Sequence, residues 1–318
     1  MTSLNSSNTA FAFPGQGSQS LGMLAELSTA YPIIYATYDE ASTVLGYDLW
    51  RLCQEGPEEK LNRTEFSQPI LLAGGVAVWR AWLQQGGKKP AFLAGHSLGE
   101  YAALVCAEAF AFSDALKLVA ERGRLMQEAV PVGKGAMIAI VGLSDEKILA
   151  ICSDAAQGQI LTPANYNSIG QTVLAGEVEA ATRAVVLAKN AGAKIAKLLP
   201  VSVPSHCELM RSAAEKMAET LQDIKINSPK IPVIHNVDVA VHTEPEEIRL
   251  VLVQQLYSPV RWVETITVLA EKGMTAIIEC GPGKVLTGLN RRIVSGLETL
   301  MLGTVVDFEN ALKNEKAV

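Results

Sequence analysis

The segment that most restricts the fold is Gly95-His96-Ser97-Leu98-Gly99, which follows the apolar run Ala91–Ala94 directly and leads straight into the helix-forming stretch Leu98–Phe110. Gly-x-Ser-x-Gly at a strand-to-helix turn is a nucleophile elbow. The flanking glycines let the backbone turn sharply without Cβ clashes, so the serine oxygen stands exposed at the carboxyl edge of a sheet. The helix that follows presents the Leu98 amide to a developing oxyanion, with the positive end of the helix dipole behind it. A glycine-rich βα turn with an ordinary serine can carry the same five letters, and it is the strand before and the helix after that favour the elbow.

Two other apolar runs, Ala10–Phe13 and Ala276–Glu279, also end in glycine-bearing turns followed by helix-like sequence, which is the grammar of an α/β domain with a parallel sheet. The middle of the chain reads differently. Strand-like Met137–Val141, a helix from Asp145, strands over Ile160–Tyr166 and Thr172–Ala175, a helix from Glu177 and a strand over Ile195–Leu199 give the β-α-β-β-α-β order of a ferredoxin-like unit. Glycine-rich sequence at 131–135 and a turn at 201–205 bracket it, which predicts residues 133–202 as a subdomain inserted into a large α/β domain made of 1–132 and 203–318, with the active site in the cleft between them.

Composition removes several function classes. A chain of 318 residues with 49% hydrophobic and 19% charged side chains can bury a full core and a pocket. The formal net charge of -6 argues against non-specific nucleic-acid binding, which needs excess Lys and Arg to displace phosphate counterions. The longest apolar stretch, Pro69–Trp79, is broken by Gly74 and Gly75 and is shorter than the ~20 residues of a membrane span. The opening MTSLNSSNTA lacks the basic and apolar parts of a secretion signal. The 5 cysteines are scattered with no Cys-x-x-Cys pair, so the expectation is reduced thiols in a cytoplasmic protein without structural zinc.

A serine nucleophile needs a base, and the chain has only 4 histidines. His206 follows Ser205, and Ser205-x-x-Glu208 reads as a capping box that predicts His206 on the first turn of a helix, where the dipole keeps the ring neutral and able to accept a proton. His235, in strand-like IPVIHNVDV, reads as a satisfied core histidine; His242, beside Thr243-Glu244-Pro245-Glu246, reads as solvated surface. His96 could shape the pocket or donate a hydrogen bond. For the group that orients the base, Asp238 and a backbone carbonyl both remain open. Glycine-rich Phe13–Gln19 closes the first strand and is a candidate source of a second oxyanion donor; no Gly-Lys-Ser/Thr follows, so it is not a phosphate loop. Gly281-Pro282-Gly283-Lys284 closes another strand as a cleft lining or as a plain turn. The helix after Ser113 carries an apolar stripe of Ala115, Leu118, Val119, Leu125, Met126 and Ala129, and Arg122 falls inside it. An inward guanidinium needs an anion, either an internal salt bridge or a substrate carboxylate.

Together these segments carry a resemblance. Phe13–Gln19, Gly95–Tyr101, Glu121–Gln127, Val203–Cys207, Gln255–Trp262 and Gly281–Leu289 occur in the order and form in which the sequence resembles the malonyl-CoA:acyl carrier protein transacylases of fatty acid synthesis, over almost the whole chain. The resemblance implies an α/β-hydrolase-like domain with a ferredoxin-like insertion. It implies Ser97 as nucleophile, His206 as base, the amides of Gln16 and Leu98 as oxyanion hole, Arg122 as partner of the malonyl carboxylate, and the carbonyl of Gln255 as the group that orients His206. The implied reaction is ping-pong through a malonyl-serine ester, with malonyl-CoA as donor and the phosphopantetheine thiol of acyl carrier protein as acceptor. It needs no metal or redox cofactor and is expected of a monomer. A serine esterase or thioesterase would use the same elbow with water as acceptor. Carrier proteins of such a pathway are acidic, so the segment 177–200, with Arg183, Lys189, Lys194 and Lys197, is a candidate docking face.

Overall fold

The computed structural model of the chain describes residues 6–201 and 203–316; residues 1–5, residues 317–318 and Ser202, the last residue of the expected insertion, lie outside it. The described strands are, in chain order, β1 (Thr9–Phe13), β2 (Phe92–Gly95), β3 (Gly135–Val141), β4 (Leu161–Ser168), β5 (Gln171–Glu177), β6 (Ile195–Leu198), β7 (Val233–Ile234), β8 (Ala276–Glu279) and β9 (Glu298–Met301). They form two sheets, one of order β7-β2-β1-β8-β9 and the other of order β4-β5-β3-β6.

The first sheet is parallel at every pairing. Its central strand shows why: all five residues of β1 are buried, as a strand covered by helices on both faces must be. Ala10 and Ala12 point to a layer containing Trp262 and Ile266, while Phe11 and Phe13 point to the larger core on the opposite face. There the Phe11 ring meets Trp79 and Trp82 edge-on, each at 5.5 Å. Both tryptophans belong to the helix Thr64–Gln84, which contains the apolar run noted in the sequence. Gly74 and Gly75 do not break it; each lies where a Cβ would press on a neighbour, the Tyr38 hydroxyl at 2.9 Å and the Phe13 ring at 3.1 Å. No helix among the described residues is long and apolar enough to cross a membrane.

The second sheet is antiparallel, and its order is the ferredoxin-like arrangement of a β-α-β-β-α-β unit. The helices Asp145–Ala156 and Val178–Asn190 share a core with one face of it. The other face, through Met137, Val173 and Ala175, packs on Cys207 and Leu209. Strand β4 is also joined to the large domain by backbone bonds, Tyr166 N–H to the Val260 carbonyl at 3.0 Å and Val260 N–H to the Ala164 carbonyl at 2.8 Å.

Two expectations change. The strand read over 231–239 shortens to β7, because the chain reverses at once: Val239 is left-handed with φ 59 and the His235 N–H bonds back to the Ala240 carbonyl at 3.0 Å. Arg183 is not free for docking, since its guanidinium is held by the carbonyls of Ala155 and Ala156, at 2.8 and 3.1 Å, and caps the preceding helix C-terminus. Lys189, Lys194 and Lys197 are exposed.

The helix Phe112–Ala129 crosses Thr64–Gln84 so closely at Gly123 that a Cβ there would lie 2.6 Å from the Glu65 Cα and 2.7 Å from the Thr64 carbonyl oxygen. Backbone cannot yield as a flexible side chain can. Gly123→Ala is expected to lose about 1 to 3 kcal/mol in urea unfolding by overpacking; an unchanged midpoint would show that the two helices separate without cost.

Candidate active site

Ser97 sits between β2 and the helix Gly99–Cys106 with φ 51, a left-handed conformation rare for a residue with a Cβ. The structure around it leaves no alternative. A Cβ on Gly95 would fall 1.9 Å from the Gly99 carbonyl carbon, and one on Gly99 would fall 2.0 Å from the Phe13 carbonyl oxygen. Asn236 bridges the turn, its Oδ1 accepting from the Ser97 N–H at 2.7 Å while its Nδ2 donates to the Gly95 carbonyl at 2.7 Å. The Phe13–Gly17 turn lies against the elbow, with the His96 N–H donating to the Phe13 carbonyl at 2.9 Å. Pro14 of that turn in turn supports the Gly281 backbone, where a Cβ would be 2.9 Å from its ring, so the Gly281–Lys284 turn buttresses the site from behind. Among the described residues neither the Leu98 nor the Gln16 amide donates a hydrogen bond within the chain, which leaves both N–H groups available to a bound oxygen.

His206 reaches Ser97, its Nε2 lying 2.8 Å from the serine Oγ. Its Nδ1 is 2.7 Å from the Gln255 carbonyl oxygen. A carbonyl only accepts, so Nδ1 carries the proton and Nε2 is the lone-pair nitrogen facing the hydroxyl. Asp238 is not the orienting group; its carboxylate accepts from His242 Nε2 at 2.6 Å. The expected capping box does not form either. His206 has φ 65 in a turn, the following 3-10 helix is Glu208–Met210, and the His206 N–H bonds instead to the Leu256 carbonyl at 3.0 Å. The ring is kept neutral by other means: burial first, then the charge of Arg122, hold its pKa down to about 3.

Arg122 is fully buried on the inner face of its helix, as its place in the apolar stripe predicts. Its Nη1 donates to Gln68 Oε1 at 2.8 Å, its Nη2 donates to Gln255 Oε1 at 2.9 Å and lies 3.5 Å from Ser97 Oγ, and the guanidinium stands 5.4 Å from the Tyr101 ring centre. No carboxylate of the described residues forms a salt bridge with it, and its Nε has no partner. Burial lowers its pKa, with Tyr101 and Glu100 opposing. The cation therefore stands beside the nucleophile with hydrogen-bonding capacity to spare.

The remaining histidines divide as follows. His96 turns away from Ser97, its Nε2 2.8 Å from Asn167 Oδ1 on β4. His235 is buried, with Nδ1 2.7 Å from Glu100 Oε1. His242 is half-buried and paired with Asp238 and Glu247 rather than simply solvated. Gln68, Glu100, Asn167 and Asn236 join the site without having been singled out in the sequence; only Glu100, an acid in the apolar run after the elbow, carried a local signal. Among the described residues no group of three or more His, Cys, Asp or Glu side chains could hold a metal ion.

Comparison with known proteins gives the arrangement a context. Residues 10–302 match the model of the acyl transferase domain. The chain is 56% identical over 288 residues to the malonyl CoA-acyl carrier protein transacylase of Escherichia coli (strain K12), covering 91% of this chain and 93% of that one. It is 43% identical to the enzyme of the same name from Bacillus subtilis (strain 168), covering 98% of both. Among solved structures, the malonyl CoA-acyl carrier protein transacylase of Coxiella burnetii superposes with a TM-score of 0.95 at 55% identity, covering 97% of this chain and 98% of that one. A malonyl-transacylase in complex with its type II PKS acyl-carrier protein superposes with a TM-score of 0.96 at 55% identity, covering 97% of this chain and 100% of that one.

The low proton affinity of His206 sets a pH dependence of stability. The ring titrates near 6.5 in the unfolded chain and near 3 in the folded protein, so between those values the unfolded chain binds the extra proton and stability falls as the pH drops. His206→Gln is expected to remove up to one proton from that slope, measured by urea unfolding at about pH 5 and about pH 7. An unchanged slope would show that His206 is readily protonated in the folded protein.

Proposed function

The chain belongs to the acyl transferase family, among the malonyl CoA-acyl carrier protein transacylases, and from that premise we propose how its residues carry out the reaction. The enzyme transfers malonyl from malonyl-CoA to acyl carrier protein, the step that supplies malonyl units for fatty acid synthesis. The observation that carries the residue assignment is Arg122: a buried cation without a carboxylate partner among the described residues, 3.5 Å from the oxygen of a serine that is itself hydrogen-bonded to a neutral histidine.

Ser97 Oγ attacks the malonyl thioester carbonyl while His206 Nε2 takes its proton. The negative oxygen that develops is received by the free amides of Leu98 and Gln16. The imidazolium that forms is held by its Nδ1–H on the Gln255 carbonyl and returns its proton to the departing thiolate of coenzyme A. In the second half the carrier's phosphopantetheine thiol gives its proton to His206 and attacks the malonyl-serine ester, regenerating Ser97. Both halves are acyl transfer without change of oxidation state, so the residues named suffice and no cofactor is assigned. In the ester the free carboxylate lies only a few bonds from Oγ, within reach of the Arg122 guanidinium. Every group comes from one chain, in keeping with action as a monomer, and the cysteines, all of them free and buried, suit the cytoplasm.

Ser97→Ala is expected to abolish the covalent intermediate, read by intact mass after brief exposure to malonyl-CoA; a persisting malonyl adduct would move the nucleophile elsewhere. Arg122→Ala is expected to lower kcat/KM for malonyl-CoA by roughly 30- to 1,000-fold, about 2 to 4 kcal/mol, because the substrate carboxylate is left buried without its partner. Acetyl-CoA has no such carboxylate and should be little affected. A malonyl-to-acetyl ratio that does not fall, with melting unchanged, would return Arg122 to a purely structural role.

A further inference from the structure

Glu100 is a fully buried carboxylate three residues beyond the nucleophile, on the first turn of the helix Gly99–Cys106, and it has no part in the proton transfers above. Its Oε1 pairs with His235 Nδ1 at 2.7 Å. Its Oε2 accepts from the Asn236 backbone N–H at 3.0 Å and from Gln255 Nε2 at 2.9 Å. Among the described residues no lysine or arginine forms a salt bridge with it. The link to the site is Gln255, whose Nε2 also donates to the Ser97 carbonyl at 3.1 Å and whose Oε1 accepts from Arg122 Nη2 at 2.9 Å.

The direction of that amide follows from what a carboxylate can do. An ionised carboxylate only accepts, so Gln255 must turn its NH2 group to Glu100 and therefore its oxygen to Arg122. We propose that Glu100 is a positioning residue for acyl selectivity: through the side-chain amide of Gln255 it fixes the Arg122 guanidinium and supplies the buried negative charge that balances it before substrate arrives.

Two physical points favour a relay over a direct pair. A buried arginine without any compensating charge is costly, and an amide dipole aligned between an anion and a cation lowers that cost through both of its hydrogen bonds. Glu100 in direct contact would instead occupy guanidinium N–H groups in a bidentate pair and compete with any substrate carboxylate. Interposing Gln255 occupies one N–H of Nη2, which still lies 3.5 Å from Ser97 Oγ. The same carboxylate holds the backbone of Asn236, whose side chain bridges the elbow, so cation and nucleophile are referred to one fixed point.

This inference rests on Arg122 being the partner of the malonyl carboxylate, and the experiment separates the two. The rates of Ser97 acylation by malonyl-CoA and acetyl-CoA are compared in wild type, Glu100→Gln, Arg122→Ala and the double variant, with circular dichroism as a check on folding. Glu100→Gln is nearly isosteric but removes the charge that the Gln255 amide links to Arg122. It is expected to lower the malonyl-to-acetyl ratio about tenfold or more, and in the Arg122→Ala background to change it by less than about twofold, since its effect passes through Arg122. Gln255→Met keeps the backbone carbonyl that holds His206 and removes the relay together with the side-chain bond to the Ser97 carbonyl. It should lower the ratio similarly, and it decides the question if Glu100→Gln does not fold. A native fold with an unchanged ratio in Glu100→Gln or Gln255→Met, or an additive fall in the double variant, overturns the relay. A ratio unchanged in Arg122→Ala overturns the carboxylate assignment and the relay with it.

Discussion

A serine held at φ 51 is a conformation that local preference opposes by about 1 to 3 kcal/mol, and much of the surrounding structure serves to hold it. The N–H of Ser97 and the C=O of Gly95 point the same way out of the turn, and the Asn236 side chain answers both with one amide. Gly95 and Gly99 are required on either side because other backbone occupies the space where their Cβ atoms would be. Once the elbow is fixed, the positions of the Leu98 and Gln16 amides follow, since Leu98 is the next residue and the Phe13–Gly17 turn is bonded to His96.

Charge is managed within the same few residues. The site keeps one buried cation next to a base that must stay neutral, and each affects the other: Arg122 is, after burial, the second reason that His206 resists protonation. Gln255 serves both. Its backbone carbonyl sets the tautomer of the base, and its side-chain oxygen takes one N–H of the cation. A carbonyl at that position orients the imidazole without adding an anion beside it, so no second negative charge competes for Arg122.

What could be read from the sequence was whatever is encoded over short distances. The elbow, the parallel strands at β1, β2 and β8 and the β-α-β-β-α-β order each depend on runs of a few residues with a strong period or turn, and they lie within a residue or two of their sequence signals, whereas β7 is far shorter than its apolar run and β9 carries no signal strong enough to read. Arg122 was legible because it is the wrong residue for its stripe, although the sequence could not say whether a carboxylate of the chain would satisfy it. His206 stands out by residue type, but the local signal around it misleads: Ser205-x-x-Glu208 has the spacing of a capping box, yet His206 is left-handed and its N–H is taken by Leu256, 50 residues on. Asn236 and Glu100 meet across 136 positions and Asn236 and Ser97 across 139, distances over which no periodicity carries information.

His206 is deeply buried and faces Ser97 at the place where the antiparallel subdomain meets the rest of the chain. His206 is 3% exposed although it lies in an irregular turn, where side chains are ordinarily solvated. One face of the four-stranded sheet, through Met137, Ala164, Val173 and Ala175, packs on Cys207, the residue next to His206, while the His206 N–H is taken by the Leu256 carbonyl and its ring by Ser97 and the Gln255 carbonyl. That sheet cannot drift away from the turn, because β4 is hydrogen-bonded to the backbone at Val260 and Asn167 of the same strand contacts His96 beside the nucleophile. The turn itself follows β6 by a few residues, so the subdomain that packs on Cys207 is also the one that leads the chain to His206, and the two hydrogen bonds of the His206 ring to the other side of the site fix where that turn must end.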